Sequence, residues 1–243
     1  MKIIAHRGFS SRAPENTLAA FGMAVEFGVD GLEFDVHLSK DGEVVICHDE
    51  AVDRTTDGEG LIKDFTWEEL RRLDAGSWFE PRFVGERIPR LSDLLELVAG
   101  TRLLLNIELK TNIFPYPGIE EKVIQMVKNF GIVNRCIISS FNHHSLLRAI
   151  TILPELKTGA LYEADLFKPW EYAETFGAAA LHPEHHSVTP ELVREARHRG
   201  IMVNPWTVNE PVHMERMIAA AVDGIITNYP DVAKQVLQNT SRR

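Results

Sequence analysis

Only two cysteines occur in 243 residues, too few for a disulfide framework. Cys47 and Cys136 each sit in an apolar, strand-like run, which suits buried free thiols. No apolar stretch approaches the ~20 residues of a membrane-spanning helix, so no stable membrane insertion is expected. No run of Lys and Arg appears and the net charge is -9, which argues against a nucleic-acid partner but leaves room for a local basic pocket. The opening residues turn charged at His6-Arg7, so no secretory leader is expected there and the expected address is cytoplasmic. No GxGxxG follows the first strand-like run, which disfavours a doubly wound nucleotide-binding sheet. With 44% hydrophobic and 25% charged residues, the chain still has the apolar content for a full core.

The most informative stretch is residues 31–49. Glu33 and Asp35 stand two apart in a run that alternates apolar and acidic, so on a strand they share a face. Two carboxylates side by side repel unless a cation or a proton lies between them. Asp41-Gly42 signals a tight hairpin turn, and residues 43–47 return as a strand that brings His48-Asp49 back toward the carboxylates. The competing reading is a polar strand end followed by a structural histidine.

Around this stretch the chain alternates strand and helix. Strands are expected at residues 3–5, 31–36, 103–107, 136–138, 158–161, 179–181, 201–204 and 224–227. Helices follow each, the first opening at Pro14-Glu15-Asn16-Thr17 with Leu18, Phe21 and Val25 on its inner face and Gly28 as its stop. Eight strand–helix units imply parallel strands with right-handed crossovers, hence a closed (β/α)8 TIM barrel in a single domain. One spacing is anomalous. About 70 residues separate the second and third strand starts, against ~30 per unit. The excess, about residues 49–90, is expected as a small insertion beside the active face, with a capping box at Thr66 and Glu69.

Odd polar residues collect where barrel strands end. His6 and Arg7 end strand one, Glu33 and Asp35 strand two, and Asn106, Glu108 and Lys110 strand three, again on one face. Trp206 follows strand seven and Asn228 strand eight. Stability does not ask for such a set, because burying unpaired charges costs several kcal/mol each by rough estimate. Glu33, Asp35 and Glu108 are an all-oxygen set suited to one hard divalent cation, Mg2+ or Ca2+, with Mn2+ as a further option. Arg7 and Lys110 suit an anionic group, although either could instead pair with a carboxylate. Histidine is the residue type suited to proton transfer near neutrality, which makes His6 and His48 candidates for that work.

His6-Arg7-Gly8, Pro14-Glu15-Asn16-Thr17, Glu33-x-Asp35-Val36, Lys40-Asp41-Gly42, His48-Asp49 and Arg54-Thr55-Thr56 together resemble the signature of glycerophosphodiester phosphodiesterases. Asp74-Ala75-Gly76, Ile107-Glu108-Leu109-Lys110, Trp206-Thr207-Val208-Asn209 and Thr227-Asn228-Tyr229-Pro230 extend the resemblance over nearly the whole chain. It implies a TIM-barrel enzyme that cleaves glycerophosphodiesters, its small-molecule substrates, to sn-glycerol 3-phosphate and an alcohol. It further implies Glu33, Asp35 and Glu108 as metal ligands, His6 and His48 as the acid/base pair, and Arg7, Lys110 and Trp206 as substrate contacts. His37 replaces a common Gln, Ser39 a Thr and Arg90 a Thr, none of which is expected to touch the chemistry. His182 ends strand six, where a structural role is favoured over a pocket role, and His143, His144, His185 and His186 are expected on the surface.

Three rival functions follow from the same residues. A lysophospholipase D-like activity would need an apolar groove, with Trp78, Phe79 and Phe83 as its candidates. A non-catalytic phosphodiester-binding protein would be expected to lack one of the five key residues, and all are present. A carboxylate–metal sugar isomerase would not require Arg7 and Lys110, and the fold alone does not argue for it.

Overall fold

The structure is a computed structural model describing residues 1–240. Its strands are β1 (Lys2–His6), β2 (Gly31–Leu38), β3 (Val44–Ile46), β4 (Leu104–Leu109), β5 (Cys136–Ser140), β6 (Lys157–Tyr162), β7 (Ala180–Pro183), β8 (Met202–Val203) and β9 (Gly224–Thr227). All but β3 are parallel barrel staves, in the order β8-β7-β6-β5-β4-β2-β1-β9. The last seam, between β8 and β9, has no regular ladder. Backbone bonds close it instead, from Asp223 N to Val203 O (3.0 Å), Ile226 N to Pro205 O (2.9 Å) and Val208 N to Ile226 O (2.9 Å). Parallel staves are covered on both faces, which is why they read as continuous apolar runs.

The outer helices are α1 (Leu18–Phe27), α3 (Leu91–Leu97), α4 (Ile119–Asn129), α5 (His143–Ile152), α6 (Pro169–Phe176), α7 (Pro190–His198), α8 (Pro211–Ala220) and α9 (Pro230–Thr240). The one-turn α2 (Trp67–Leu70) belongs to the segment between β3 and α3 and carries the expected capping box. The barrel is thus the one the alternation implies. The beginning of α1 is not. Pro14, Glu15 and Asn16 precede the helix, and Thr17 is its N-cap, accepting from Ala20 N. Asn16 sits at φ 59° with its N–H on Arg7 O (3.0 Å), a left-handed conformation that cannot continue a helix. The buried face of α1 is Ala20, Phe21 and Ala24, while Leu18 is exposed, so the expected stripe is rotated.

β3 returns antiparallel along β2, with His37 opposite Val45. Beyond it, Val45, Cys47, Val52, Ile62, Leu70, Ala75 and Ile88 form a small core of their own. Asp74 ties this segment together by accepting from the N–H groups of Gly76 (2.9 Å), Ser77 (2.7 Å) and Gly85 (2.8 Å). Gly76 is obligatory there, because a Cβ would lie 1.9 Å from Phe83 O. Phe79 and Phe83 pack edge to face and against Ala13 and Ala20, with Trp78 edge-on to Phe79. Phe79 and Phe83 thus close a small core between insertion and barrel, while Trp78 stays exposed. Both cysteines are buried and free. Among the described residues, no helix is long and apolar enough to cross a membrane.

Candidate active site

Register builds the site. In the ladders His6 pairs with Glu33, Glu33 with Asn106, and Asp35 with Glu108, so inward side chains of three adjacent staves meet at the end where β1, β2 and β4 finish. Function gathers at this end of such barrels. A cavity of about 60 Å³ opens there, lined among others by His6, Arg7, Glu33, His48, Glu108 and Trp206. Asp35 and Lys110 lie behind that lining, both buried. The structure therefore brings all eight residues singled out in the sequence to one place.

Glu33, Asp35 and Glu108 each offer an oxygen within 4.8 Å of the others. Lys110 Nζ lies 3.0 Å from Glu108 Oε1 and 3.7 Å from Asp35 Oδ1, and Arg7 Nε lies 3.5 Å from Asp35 Oδ2. The three carboxylates respond differently. Burial, then Asp35 and Glu108, push the Glu33 pKa well above its ordinary 4.5. Burial likewise raises Glu108, with Asp35 adding to it against the pull of Lys110. For Asp35 burial is outweighed by Arg7 and Lys110, which hold it below the usual carboxylate range. Asp35 Oδ1, Glu108 Oε1 and Asn106 Oδ1 are buried without an aligned hydrogen-bond donor. An all-oxygen set with buried oxygens that lack an aligned donor fits a hard divalent cation, even with Lys110 paired to Glu108. Fully ionised, as a bound cation would require, the three carboxylates against Arg7 and Lys110 leave one net negative charge. A divalent ion would turn it to one positive, matching a phosphodiester monoanion.

The two histidines are held differently. His6 Nδ1 lies 2.6 Å from Asn228 Oδ1, which also accepts from Ser10 Oγ (3.1 Å). That oxygen acts as the acceptor, so the His6 proton sits on Nδ1 and Nε2 carries a lone pair, 3.8 Å from Glu33 Oε2. Burial, then the Arg7 charge, lower the His6 pKa to about 3. His48 Nδ1 lies 2.5 Å from Asp49 Oδ1. That bond, helped by Arg54 against partial burial, keeps Asp49 ionised below its ordinary range. Arg54 in turn donates to Asp49 Oδ2 (2.6 Å) and Glu15 Oε1 (2.7 Å), and Arg7 donates to Glu15 Oε1 (2.8 Å). Arg7 itself sits at φ 57°, its N–H on Glu33 O at 2.8 Å. Left-handed backbone at a non-glycine costs of order 1–3 kcal/mol and is found where a side chain must be aimed.

The model of the glycerophosphoryl diester phosphodiesterase family matches residues 6–232. The chain belongs to that family. A glycerophosphodiester phosphodiesterase of Caldanaerobacter subterraneus subsp. tengcongensis is 52% identical over 229 residues, 94% of each chain. The structure of an Oleispira antarctica phosphodiesterase in complex with the product sn-glycerol-3-phosphate superposes with a TM-score of 0.87 at 33% identity, covering 98% of this chain and 97% of that one. A glycerophosphodiester phosphodiesterase from Agrobacterium tumefaciens str. C58 gives 0.84 at 31% identity, with coverage of 96% and 98%. The protein is accordingly a TIM-barrel phosphodiesterase of this family.

Several site residues lie outside the set taken from the sequence. Asn16 Nδ2 donates to Asp35 Oδ2 (2.9 Å), and Glu15 links Arg7 to Arg54. Asn228 holds His6, and Phe141 stands edge-on to Trp206 at 5.5 Å across the cavity wall. Pro14-Glu15-Asn16-Thr17 and Arg54-Thr55-Thr56 stood out as motifs, but their spacing did not say what they would hold. His37 departs from expectation. It is fully buried, with Nδ1 3.1 Å from Tyr116 OH and Nε2 3.2 Å from the His48 carbonyl, so this replacement does reach the site. His182 lies in the barrel interior, Nε2 3.2 Å from Asn204 Nδ2, where Gly159 leaves room for its ring. His185 is buried, contrary to the expected surface position, because its turn packs under α8 with its N–H on Trp206 O (2.9 Å).

Proposed function

We propose that the protein hydrolyses glycerophosphodiesters to sn-glycerol 3-phosphate and an alcohol, with one divalent cation at Glu33, Asp35 and Glu108 and with His6 and His48 transferring protons. The observation that carries this reading is the convergence of two differently held imidazoles, Arg7 and the carboxylate set on one cavity. When bound, the cation would supply positive charge to a phosphate oxygen and to glycerol hydroxyls. Arg7, lining the cavity, binds and orients the phosphate, and Lys110 adds positive charge from behind the carboxylates.

His6 is assigned as the base in the first step, since the contact of its Nδ1 with Asn228 leaves the Nε2 lone pair free and facing inward. It takes the proton of the glycerol 2-hydroxyl as that oxygen attacks phosphorus. His48, with ionised Asp49 to stabilise an imidazolium, protonates the leaving alcohol oxygen as its bond to phosphorus breaks. Water then opens the cyclic phosphate with the two roles reversed. Trp206, fixed by Nε1 on His182 O (2.8 Å), offers a flat apolar wall to the substrate.

The test is release of glycerol 3-phosphate from glycerophosphocholine by the purified protein, with and without EDTA. Release is expected with Mg2+, Ca2+ or Mn2+ and should stop on chelation. Absence of release with all three cations would overturn the substrate assignment, and release undiminished by EDTA would overturn the metal.

A further inference from the structure

His185, His186 and His213 form a second cluster of potential ligands, apart from the carboxylate set. The first two lie on the short turn His185–Ser187 after β7, and His213 lies in the first turn of α8. Their rings are close together, 4.0 Å between His185 and His186, 4.6 Å between His185 and His213, and 5.1 Å between His186 and His213. His185 Nε2 faces His213 Nδ1 at 2.9 Å, so a single proton is shared between two lone-pair nitrogens. Glu184 Oε1 lies 2.7 Å from His185 Nδ1 and 2.9 Å from His186 Nδ1. His185 Nδ1 is nonetheless buried with no aligned hydrogen bond, on a side chain only 9% exposed. Crowding three imidazoles and a carboxylate this way makes poor use of hydrogen bonding. It suits a cation that replaces the shared proton.

We propose that His185, His186 and His213 form a second metal site, selective for a borderline divalent ion such as Zn2+, Co2+ or Ni2+, with Glu184 orienting the rings. Imidazole nitrogens favour these ions over Mg2+ and Ca2+, and a carboxylate behind a ligating histidine is the usual outer partner. Tetrahedral bonds of ~2.0–2.1 Å place ligand nitrogens about 3.4 Å apart, so the 2.9 Å pair needs to open by only about 0.5 Å. The site would clip the loop after β7 to α8. It would also act on the catalytic wall, because His185 N donates to Trp206 O and Arg216 donates to His185 O.

Co2+ distinguishes this site from the carboxylates, since a tetrahedral imidazole complex absorbs strongly in the visible and an octahedral oxygen complex only weakly. The EDTA-dialysed full chain, kept in excess Mg2+, is titrated with Co2+. One equivalent should give the intense bands. His186→Ala, an exposed position that cannot threaten folding, and His213→Ala should each weaken Co2+ binding at least ~10-fold. Glu33→Gln should leave the bands unchanged. Failure of the intense bands to appear, their survival in the His186→Ala/His213→Ala double variant, or their loss in Glu33→Gln would each overturn the proposal.

Discussion

Removing the charge of Lys110 is the sharpest test of the inner charge cluster. Its ammonium lies 3.0 Å from Glu108 Oε1 and 3.7 Å from Asp35 Oδ1, and its side chain is 8% exposed. At an effective dielectric near 20 these contacts are worth roughly 4–6 kcal/mol each, before the cost of desolvating the ammonium. That cost offsets part of the attraction, and the carboxylates still hold the ammonium in its charged form. Lys110→Met leaves behind three buried carboxylates facing Arg7 alone. Breaking a buried pair from one side costs about 3–5 kcal/mol. Urea unfolding in metal-free buffer at neutral pH should show the variant less stable by about that amount. Mg2+ at about a hundred times its Kd stabilises a native state by about 2.7 kcal/mol. The variant should bind it more tightly than the wild type, because the competing ammonium is gone, so Mg2+ should narrow the gap. Equal metal-free stabilities, or a gap untouched by Mg2+, would refute the view that these carboxylates are an ionised cation site compensated by Lys110.

His6→Ala and His48→Ala should each lower kcat by at least ~10²-fold on glycerophosphocholine; near-wild-type turnover in either variant removes that residue from proton transfer. Asp49→Asn should lower kcat more than it raises KM, since it disturbs the state of His48 and not the phosphate contacts; an effect confined to KM would place Asp49 in substrate binding instead. Acid should destabilise the protein through His6. Folded His6 takes its proton only near pH 3 and the unfolded residue near 6.5, so between these values the unfolded state binds more protons and stability falls as pH falls. His6→Gln should lessen that decline by up to about 1.4 kcal/mol per pH unit, and parallel pH–stability curves for variant and wild type would contradict the burial argument.

The barrel was legible because its signals are local. Apolar runs such as Ile3-Ile4-Ala5 and helix stops such as Gly28 act within a few residues, and the strand–helix alternation then permits few topologies. The carboxylates and histidines were legible because charge at a strand end is costly without a task. α1 was misplaced for the opposite reason. Pro14-Glu15-Asn16 has the composition of a helix start, yet a tertiary demand overrides it, since Asn16 must turn back to reach Asp35. A single sequence contains no local trace of that contact.

The groups that would do chemistry and the groups that aim them differ in how plainly residue type marks them. His6, His48 and the carboxylates advertise themselves by residue type. Their holders show less: Asn228 stood out by its place after strand eight, and Asp49, Arg54 and Asn16 within motifs, but only the fold shows what each one holds. His37 is the instructive case. As a replacement for a common Gln it looked incidental, yet a neutral imidazole, like an amide, offers one donor and one acceptor. Here the acceptor nitrogen faces Tyr116 OH and the donor faces the His48 carbonyl, and burial lowers its pKa to about 4, which keeps it neutral at physiological pH. His37 therefore meets at once a buried demand for one acceptor and one donor. That makes His37 part of the device holding the His48 backbone, a role visible only once the hairpin has folded back over β2.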